Sequence, residues 1–448
     1  MKLSTLMKII CLGLLVAPGI QAEEKARPNI VLIMADDVGF ECFGCYGSKE
    51  YKTPRIDALA AKGIRFTHCH STPLCTPSRV NLMSGKSNVF NYKDFGIYPK
   101  SEPTFAQHFK KYGYTTAVAG KWQLQREEGG GCSPLDAGFD TYCLWNLPGT
   151  TRSRYWNPSL IEDGKLLELP TDSFGPTVVA DFLVDFIKTN KDKPFLAYYP
   201  MMLPHDPFVT TPDSANRDSK EGKANFKDMV QYIDKMVGRI EDTLIEQGIR
   251  DKTLIIFTGD NGTNPNISSE LNGEKITGDK GNPRDYGTHV PLVLNWPGRI
   301  KPGQVNEDLL CFSDFFSTLV EAAGLPPKEI TNGHGWSFWP QCTGQEGRRR
   351  DWIYGYYFPR PMTERFNDRF DHYEIRWARD KNYKLYDNGK LYDVIDDIQE
   401  RTPLKITERL LPIKNKLQKA LDSYPAKSQA INYDMVKGTF VPKSSKSR

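Results

Sequence analysis

The sequence predicts an α/β fold in which helices cover both faces of a large, mostly parallel sheet, followed by a smaller C-terminal α+β subdomain. Apolar, β-prone runs recur along the chain, and each ends abruptly in polar residues. Stretches with apolar residues at helical spacing lie between these runs. Uninterrupted apolar runs are typical of parallel strands that are buried on both faces. After about residue 345, aromatic, basic and turn-rich sequence replaces this pattern, which indicates a second unit.

The predicted elements follow in chain order. In the large unit, strands are predicted at residues 29–34, 114–119, 195–199, 253–258 and 289–294, and helices at 178–187, 226–244 and 312–323. In the C-terminal subdomain, an antiparallel sheet is predicted from strands at 354–358, 374–378 and 383–386, and one helix at 406–421. Asp387-Asn388-Gly389 has the composition of a hairpin turn before Leu391-Tyr392. We therefore predict a large domain at residues 23–345 and a C-terminal subdomain at 346–448.

Residues 1–22 resemble a signal peptide, because two lysines flank the start of a short apolar segment that ends in small residues. The segment is too short to span a bilayer, and we expect no membrane span elsewhere. We therefore expect a periplasmic or secreted protein. The net charge of +4 includes lysines of the signal peptide and of the polar C-terminal tail. The sequence has neither a basic stripe nor a reader motif, so it does not predict nucleic-acid binding.

The nine cysteines do not form an obvious disulfide framework. One lies in the signal peptide, and an odd number remains if Cys75 is set aside for chemistry. Cys132 and Cys143 can still pair. Cys42-x-x-Cys45 has the spacing of a redox or metal motif, but there is no second such pair, and we favour a structural role.

The segment Cys75-Thr76-Pro77-Ser78-Arg79 is the most informative motif in the chain. Pro77 suits the first turn of a helix, where its missing N–H costs nothing. The free backbone N–H groups of that turn, together with the helix dipole, favour an anion next to Cys75. The alternative is a buried structural cysteine beside a helix start.

Four oxygen-bearing side chains follow two of the predicted strands. They are Asp36, Asp37, Asp260 and Asn261. In α/β sheets, ligands collect outside the carboxyl ends of the strands. Carboxylate and amide oxygens favour calcium, with magnesium as the second choice, over zinc. Acidic pairs after strands also act as turn or capping residues, which is the alternative role.

Taken together, these motifs resemble the formylglycine-dependent (type I) sulfatases of the alkaline-phosphatase-like superfamily. The resemblance extends over nearly the whole mature chain. It rests on Asp36-Asp37, Cys75-x-Pro-Ser-Arg79, Gly120-Lys121-Trp122, Pro204-His205, Gly259-Asp260-Asn261-Gly262, Lys280 and Lys384-Leu385-Tyr386-Asp387.

The resemblance implies a set of roles for these residues. A maturase would oxidise Cys75 to formylglycine (3-oxoalanine), and Asp36, Asp37, Asp260 and Asn261 would bind calcium. Arg79 would steady the formylglycine, while Lys121, His205 and Lys280 would contact the sulfate or its leaving oxygen. A hydroxyl of the hydrated aldehyde would attack sulfur, and the second hydroxyl would expel sulfate.

The resemblance therefore implies an exported, calcium-dependent sulfatase that acts on sulfated polysaccharides or oligosaccharides, with galactose-type glycans as the first choice. A phosphonate or phosphate ester hydrolase of the same superfamily is one alternative. The other is an exported, non-catalytic glycan-binding relative.

Two positions depart from the family pattern. Gln123 stands where the family usually has histidine after Lys121-Trp122, and His289 stands where it usually has arginine before Val-Pro. Gln123 can form hydrogen bonds but cannot take up a proton at neutral pH. The base that regenerates the aldehyde is therefore open. His70 and Lys121 are the candidates, although a packing role is favoured for His70.

Candidate substrate contacts lie between the predicted strands. Gln123, Arg152, Arg154 and Trp156, with Trp145 nearby, mix hydrogen-bonding, guanidinium and aromatic groups that suit anionic sugars. The alternative is a structural loop that packs under the C-terminal subdomain.

Overall fold

The computed structural model describes residues 27–127, 130–326, 334–362 and 374–436. The predicted signal peptide and the last dozen residues lie outside this part of the chain. A ten-stranded sheet forms its centre, and its five central strands are mutually parallel. The predicted fold class is confirmed.

The strands of the large sheet are β1 (Asn29–Ala35), β2 (Ile64–His70), β3 (Thr115–Lys121), β4 (Thr141–Trp145), β5 (Ile161–Glu162), β6 (Lys165–Leu166), β7 (Phe195–Pro200), β8 (Thr253–Gly259), β11 (His289–Asn295) and β12 (Gln304–Cys311). Their order in the sheet is β12-β2-β11-β8-β1-β7-β3-β4-β5-β6, and β8, β1, β7, β3 and β4 are the parallel central strands. A separate hairpin pairs β9 (Ser268–Leu271) with β10 (Glu274–Thr277). The helices are α1 (Pro54–Ala61), α2 (Cys75–Ser84), α3 (Asn88–Asn91), α4 (Phe105–Lys111), α5 (Gly175–Asn190), α6 (Gly222–Glu246), α7 (Asp285–Thr288), α8 (Asp314–Ala322), α9 (Trp339–Cys342) and α10 (Leu411–Asp422).

Strand β1 shows how the layers form. All of its residues are buried, and successive side chains enter different hydrophobic clusters. Ile30 and Leu32 join the cluster that contains residues of α2, α4 and α8. Val31 and Ile33 join the cluster that contains residues of α1, α5 and α6. Helices therefore cover both faces of the sheet, as uninterrupted apolar strands require.

The C-terminal sheet is antiparallel, with β13 (Ile353–Tyr357), β14 (Ile375–Arg379), β15 (Tyr383–Tyr386) and β16 (Leu391–Asp393) in that order. The predicted hairpin at Asp387-Asn388-Gly389 joins β15 to β16, and Gly389 has a positive φ of 81°. Helix α10 packs on this sheet through residues such as Leu417 and Leu421. The boundary at residues 345 and 346 stays a prediction.

Several details differ from the predicted elements. The predicted strand at 289–294, β11, is antiparallel to both of its neighbours, β8 and β2. The C-terminal helix begins at Leu411 rather than at 406, with Pro412 in its first turn, where a proline is well tolerated. The cysteines of the described residues are all free, including Cys132 and Cys143. None of the helices in the described part of the chain could span a bilayer.

Candidate active site

The carboxyl ends of β1 and β8 bring the acidic side chains together. The two strands pair in parallel so that Ala35 lies opposite Gly259, which places Asp36 beside Asp260. The backbone N–H of Asp260 donates to the carbonyl of Ala35 at 3.0 Å. The backbone N–H of Asp37 donates to Oδ1 of Asp260, also at 3.0 Å. Asp36, Asp37 and Asp260 are fully buried.

Two buried basic residues neutralise part of this charge. Lys121, the last residue of β3, donates from Nζ to both carboxylate oxygens of Asp36, at 2.8 and 2.9 Å. Arg79 of α2 donates to Oδ2 of Asp260 at 3.0 Å and to the backbone carbonyl of Lys121 at 2.9 Å. Nε of Arg79 has no hydrogen-bond partner among the described residues. These contacts join the ends of β1, β3 and β8 to the helix that carries Cys75.

A second group of contacts surrounds Asp37. Nζ of Lys280 donates to Oδ2 of Asp37 and lies 3.1 Å from Nε2 of His205. Nδ1 of His205 lies 2.7 Å from the carbonyl oxygen of Asp206, which only accepts hydrogen bonds. The proton of neutral His205 is therefore on Nδ1, and Nε2 accepts from Lys280.

Cys75 is the first residue of α2, which confirms the expected placement of Pro77 in the first helical turn. Its thiol donates to Oε1 of Gln123 at 2.9 Å. Gln123 follows β3 by two residues and has a positive φ of 55°. The residue that departs from the family pattern is therefore in direct contact with Cys75.

The pKa values of these groups reflect burial and mutual charge. Burial favours a raised pKa for Asp36, but Lys121, His205 and Arg79 hold it well below its usual value. Burial and the neighbouring charge of Asp36 raise the pKa of Asp260 to about 7. Burial lowers the pKa of His205 to about 4, although Asp37 opposes this shift. Burial also raises the pKa of the Cys75 thiol.

The donor set fits a hard cation. Asp36, Asp37, Asp260 and Asn261 offer only oxygen ligands, which calcium and magnesium prefer. Nδ2 of Asn261 donates to Asp37 at 2.9 Å, while its Oδ1 is buried without a hydrogen-bond partner among the described residues. A buried acceptor of this kind is what a metal ion would satisfy. Oxygens of Asp36 and Asp37 also lie within 4.8 Å of a ring nitrogen of His205.

A cavity of about 630 Å³ reaches this site at Gln123. Trp145 and Arg152, two of the residues singled out in the sequence, line it. Arg126 and Arg360, which the sequence did not single out, line it as well. No local sequence pattern marks Arg360 as a cavity residue. It comes from the C-terminal subdomain and meets the cavity only in the folded chain.

Arg154 and Trp156 are not part of the cavity lining. The guanidinium of Arg154 lies 4.2 Å from the ring centroid of Trp145, and Nε1 of Trp156 donates to the carbonyl of Thr210 at 2.8 Å. Tyr155, the residue between Arg154 and Trp156 in the chain, donates from its hydroxyl to the backbone carbonyls of Met202 and His205. This segment therefore supports the His205 loop, and Tyr155 is a positioning residue that sequence reasoning missed.

Comparison with known proteins now identifies the family. Residues 28–325 match the family model described as Sulfatase. The chain belongs to the sulfatase family. Residues 273–427 also match the model described as N-sulphoglucosamine sulphohydrolase, C-terminal.

Curated sulfatases are similar over much of the chain. Steryl-sulfatase of Mus musculus is 30% identical over 403 residues, which cover 68% of this chain and 64% of the mouse enzyme. Arylsulfatase A of Homo sapiens is 31% identical over 339 residues, covering 68% of this chain and 66% of the human enzyme. This sulfatase chain thus spans about two thirds of the length of these relatives.

Solved structures confirm the sulfatase fold. Ps i-CgsB in complex with k-i-k-neocarrahexaose superposes with a TM-score of 0.73 at 23% identity, covering 90% of this chain and 94% of that one. A protein in complex with its substrate D-glucosamine-2-N,6-O-disulfate has a TM-score of 0.70 at 20% identity, covering 89% and 97%. The phosphonate monoester hydrolase of Agrobacterium radiobacter has a TM-score of 0.67 at 21% identity, covering 89% and 95%.

Proposed function

We propose that this chain is an exported, calcium-dependent sulfatase that hydrolyses sulfate esters on sulfated polysaccharides or oligosaccharides, with formylglycine made from Cys75 by a maturase. One observation carries the proposal. Lys121, Lys280 and Arg79 converge on a cage of oxygen ligands next to the first residue of α2, Cys75. A sulfate ester is a tetrahedral anion, and fixed positive charges must offset its charge before a nucleophile can approach.

The proposed metal ligands are Asp36, Asp37, Asp260 and Asn261. Calcium bound there would neutralise sulfate charge as a Lewis acid, and the formylglycine hydrate would supply the attacking hydroxyl. Magnesium is the second choice of ion.

The chain's own residues would bind the sulfate and move a proton. The ammonium groups of Lys121 and Lys280 lie next to Asp36 and Asp37 of the oxygen cage. Lys121 and Lys280 would therefore donate to the oxygens of a sulfate bound at that cage. Arg79, which donates to Asp260 from α2, would fix the position of this carboxylate relative to the start of α2. Nζ of Lys280 lies 3.1 Å from Nε2 of His205, so His205 would take a proton from Lys280 and pass it to the departing sugar oxygen, which leaves Lys280 neutral.

The cavity supports a sulfated glycan as the substrate. Arg126, Arg152 and Arg360 provide cationic groups, and Trp145 provides a face on which a sugar ring can stack. Gln123, which lies between the cavity and Cys75, would donate to a sulfate oxygen. We propose Arg154 and Trp156 as residues that shape this region through Trp145 and the Thr210 backbone.

The deciding experiment compares protein made with and without a formylglycine-generating maturase, together with the variant Cys75→Ala. Mass spectrometry of the Cys75 peptide should show the aldehyde only after co-expression. Each preparation is then assayed for release of sulfate from sulfated mono- and oligosaccharides, and for release of phosphate or phosphonate from matched esters. We expect sulfate release only from the aldehyde form.

Three outcomes would contradict the proposal. Active protein with an intact thiol at Cys75 would exclude the formylglycine. A preference for a phosphonate or phosphate ester would favour the phosphonate hydrolase. Binding of sulfated glycans by the aldehyde form without turnover would favour a non-catalytic glycan-binding protein.

A further inference from the structure

Three histidines form a cluster beside the proposed active site. His68 and His70 lie two residues apart in β2, so their side chains leave the same face of the strand. His289, in β11, pairs directly with His70 across the two strands. The ring centroids of His70 and His289 are 4.7 Å apart, and those of His68 and His289 are 6.0 Å apart.

Two nitrogens of this cluster lack a hydrogen bond. Nδ1 of His68 and Nε2 of His70 are buried and have no partner among the described residues. The whole side chain of His70 is buried, with the residue only 3% exposed. A buried polar atom without a partner destabilises the fold, so such atoms call for an explanation. One ring nitrogen from each of the three histidines lies within 4.8 Å of the other two.

The third ring is oriented by a carboxylate. Nδ1 of His289 donates to Oδ2 of Asp285 at 3.0 Å, and Arg379 donates to the other oxygen of Asp285. A carboxylate hydrogen-bonded to one nitrogen of an imidazole commonly fixes the ring of a metal ligand. The other nitrogen, Nε2, lies 2.7 Å from the carbonyl oxygen of Thr67. Metal binding at Nε2 would release the proton that this nitrogen donates, and the carbonyl of Thr67 would have to move out of the ligand position.

We propose that His68, His70 and His289 bind a transition-metal ion of the zinc class at a site separate from the oxygen cage. Three imidazoles are a ligand set that zinc uses with a fourth, open position, whereas calcium prefers oxygen ligands. His68 is half-buried, which leaves an entry path from solvent.

The ion would brace two segments of the active site. His70 ends β2, which leads into the loop before Cys75, and His289 directly follows the segment that carries Lys280. Backbone hydrogen bonds already join these segments, from Ser71 to Thr288 at 2.8 Å and from Gly281 to Pro73 at 2.9 Å. A metal ion bound by the three histidines would add a link through side chains between the same two segments.

The test measures zinc binding by the full chain in excess calcium, which keeps zinc out of the oxygen cage. We expect the wild-type protein to retain about one equivalent of zinc after desalting, with a zinc–nitrogen shell at about 2.0–2.1 Å in the X-ray absorption spectrum. His68→Gln should weaken zinc binding at least about 100-fold without loss of bound calcium. The matched control is His108→Gln, which changes a buried histidine of α4 that packs against Tyr112 and Phe316.

The proposal fails if the wild-type protein retains no zinc, or if His68→Gln retains as much as the wild type. If His68→Gln does not fold, the wild-type absorption spectrum decides: a shell of nitrogen scatterers supports the site, and a shell of oxygen scatterers alone overturns it. None of these measurements depends on sulfatase activity.

Discussion

Gln123 is the single residue whose contact with Cys75 most directly tests the proposed sulfate site. Its side chain accepts from the Cys75 thiol, so it borders the position that formylglycine would occupy. We expect Gln123→Ala to lower kcat/KM about tenfold, mainly through KM, because one hydrogen bond to substrate is lost. Gln123→His should be tolerated without a new pH dependence if another base acts. Steady-state kinetics across pH measure both effects.

The control for Gln123 is Gln304→Ala. Gln304 starts β12 and donates to the carbonyl of Lys301, away from the cavity. The kinetic constants of the Gln304→Ala variant should match those of the wild type. Unchanged constants for Gln123→Ala would place the side chain outside the substrate site.

Asp37 and Asp260 test the metal cage. Asp37→Asn or Asp260→Asn removes a charged ligand, so we expect bound calcium to be lost and kcat to fall at least about 1,000-fold. Elemental analysis and turnover are measured on the same preparations. Asp234→Asn is the control, because Asp234 is also buried but accepts from the backbone N–H groups of Arg55 and Ile56 in α1. Full activity of the wild type after exhaustive chelation would exclude the metal role.

At the level of single residues, sequence reasoning could find the groups that follow strands. Asp36, Asp260 and Lys121 lie at the ends of apolar strands, and parallel pairing brings such ends to one edge of the sheet. It could not find Tyr155 or Arg360. Their contacts are with backbone carbonyls or a cavity wall formed by distant segments, and no local pattern marks them.

Among the elements, β3 depends on a close approach that only glycine permits. Gly120, just before Lys121, has a φ of 125°, and a Cβ there would lie 2.0 Å from the carbonyl oxygen of Pro200 in β7. We expect Gly120→Ala to lower the free energy of unfolding by about 3 kcal/mol or more, because β3 and β7 must separate. Sulfate release should fall as Lys121 moves. Denaturant unfolding and kinetics measure the two effects.

The matched control for this element is Gly113→Ala. Gly113 precedes β3 and also has a positive φ, 79°, but a Cβ there would lie no closer than 3.8 Å to its nearest neighbour, Nη1 of Arg27. Gly113→Ala should lower the free energy of unfolding by only about 1 kcal/mol, because backbone strain is its only cost. Equal losses for the two variants would show that the contact with Pro200 is unimportant.

Sequence patterns predicted neither β2 nor the direction of β11. β2 mixes polar residues with apolar ones. His68 and His70 lie on one face of β2, next to His289 of the neighbouring strand β11. β11 is as apolar as its parallel neighbours, since burial on both faces produces the same composition in either direction. Apolar periodicity therefore predicts burial but not strand direction.

At the scale of the whole molecule, the C-terminal subdomain holds the loop that carries Lys280. Nζ of Lys384, a fully buried residue of β15, donates to the carbonyl of Pro283 and to Oε1 of Glu400. The hydroxyl of Tyr357 in β13 donates to the carbonyl of Gly281 at 3.2 Å. The sequence indicated two units but not this contact, because it depends on how the two sheets pack.

Lys384 and Glu400 allow the stability of the subdomain to be separated from its effect on the active site. Lys384→Met leaves the buried carboxylate of Glu400 without its cation, so we expect the free energy of unfolding to fall by about 3–5 kcal/mol. Lys384→Met combined with Glu400→Gln removes both charges. It keeps an acceptor for the hydroxyl of Tyr386, which bonds Glu400, and should recover at least half of that loss.

Neither variant restores the hydrogen bond to Pro283, so both should retain a lowered kcat, by about tenfold, if this tether positions Lys280. Glu400→Gln alone is the control, because it keeps Lys384 and its bond to Pro283. Denaturant unfolding gives the free energies, and kcat is measured at a temperature where all variants are folded. A double variant with wild-type kcat would show that the subdomain stabilises the chain without positioning Lys280. A double variant that is stable but slow would show that the two sheets act together at the site, since its defect would then be one of position and not of folding.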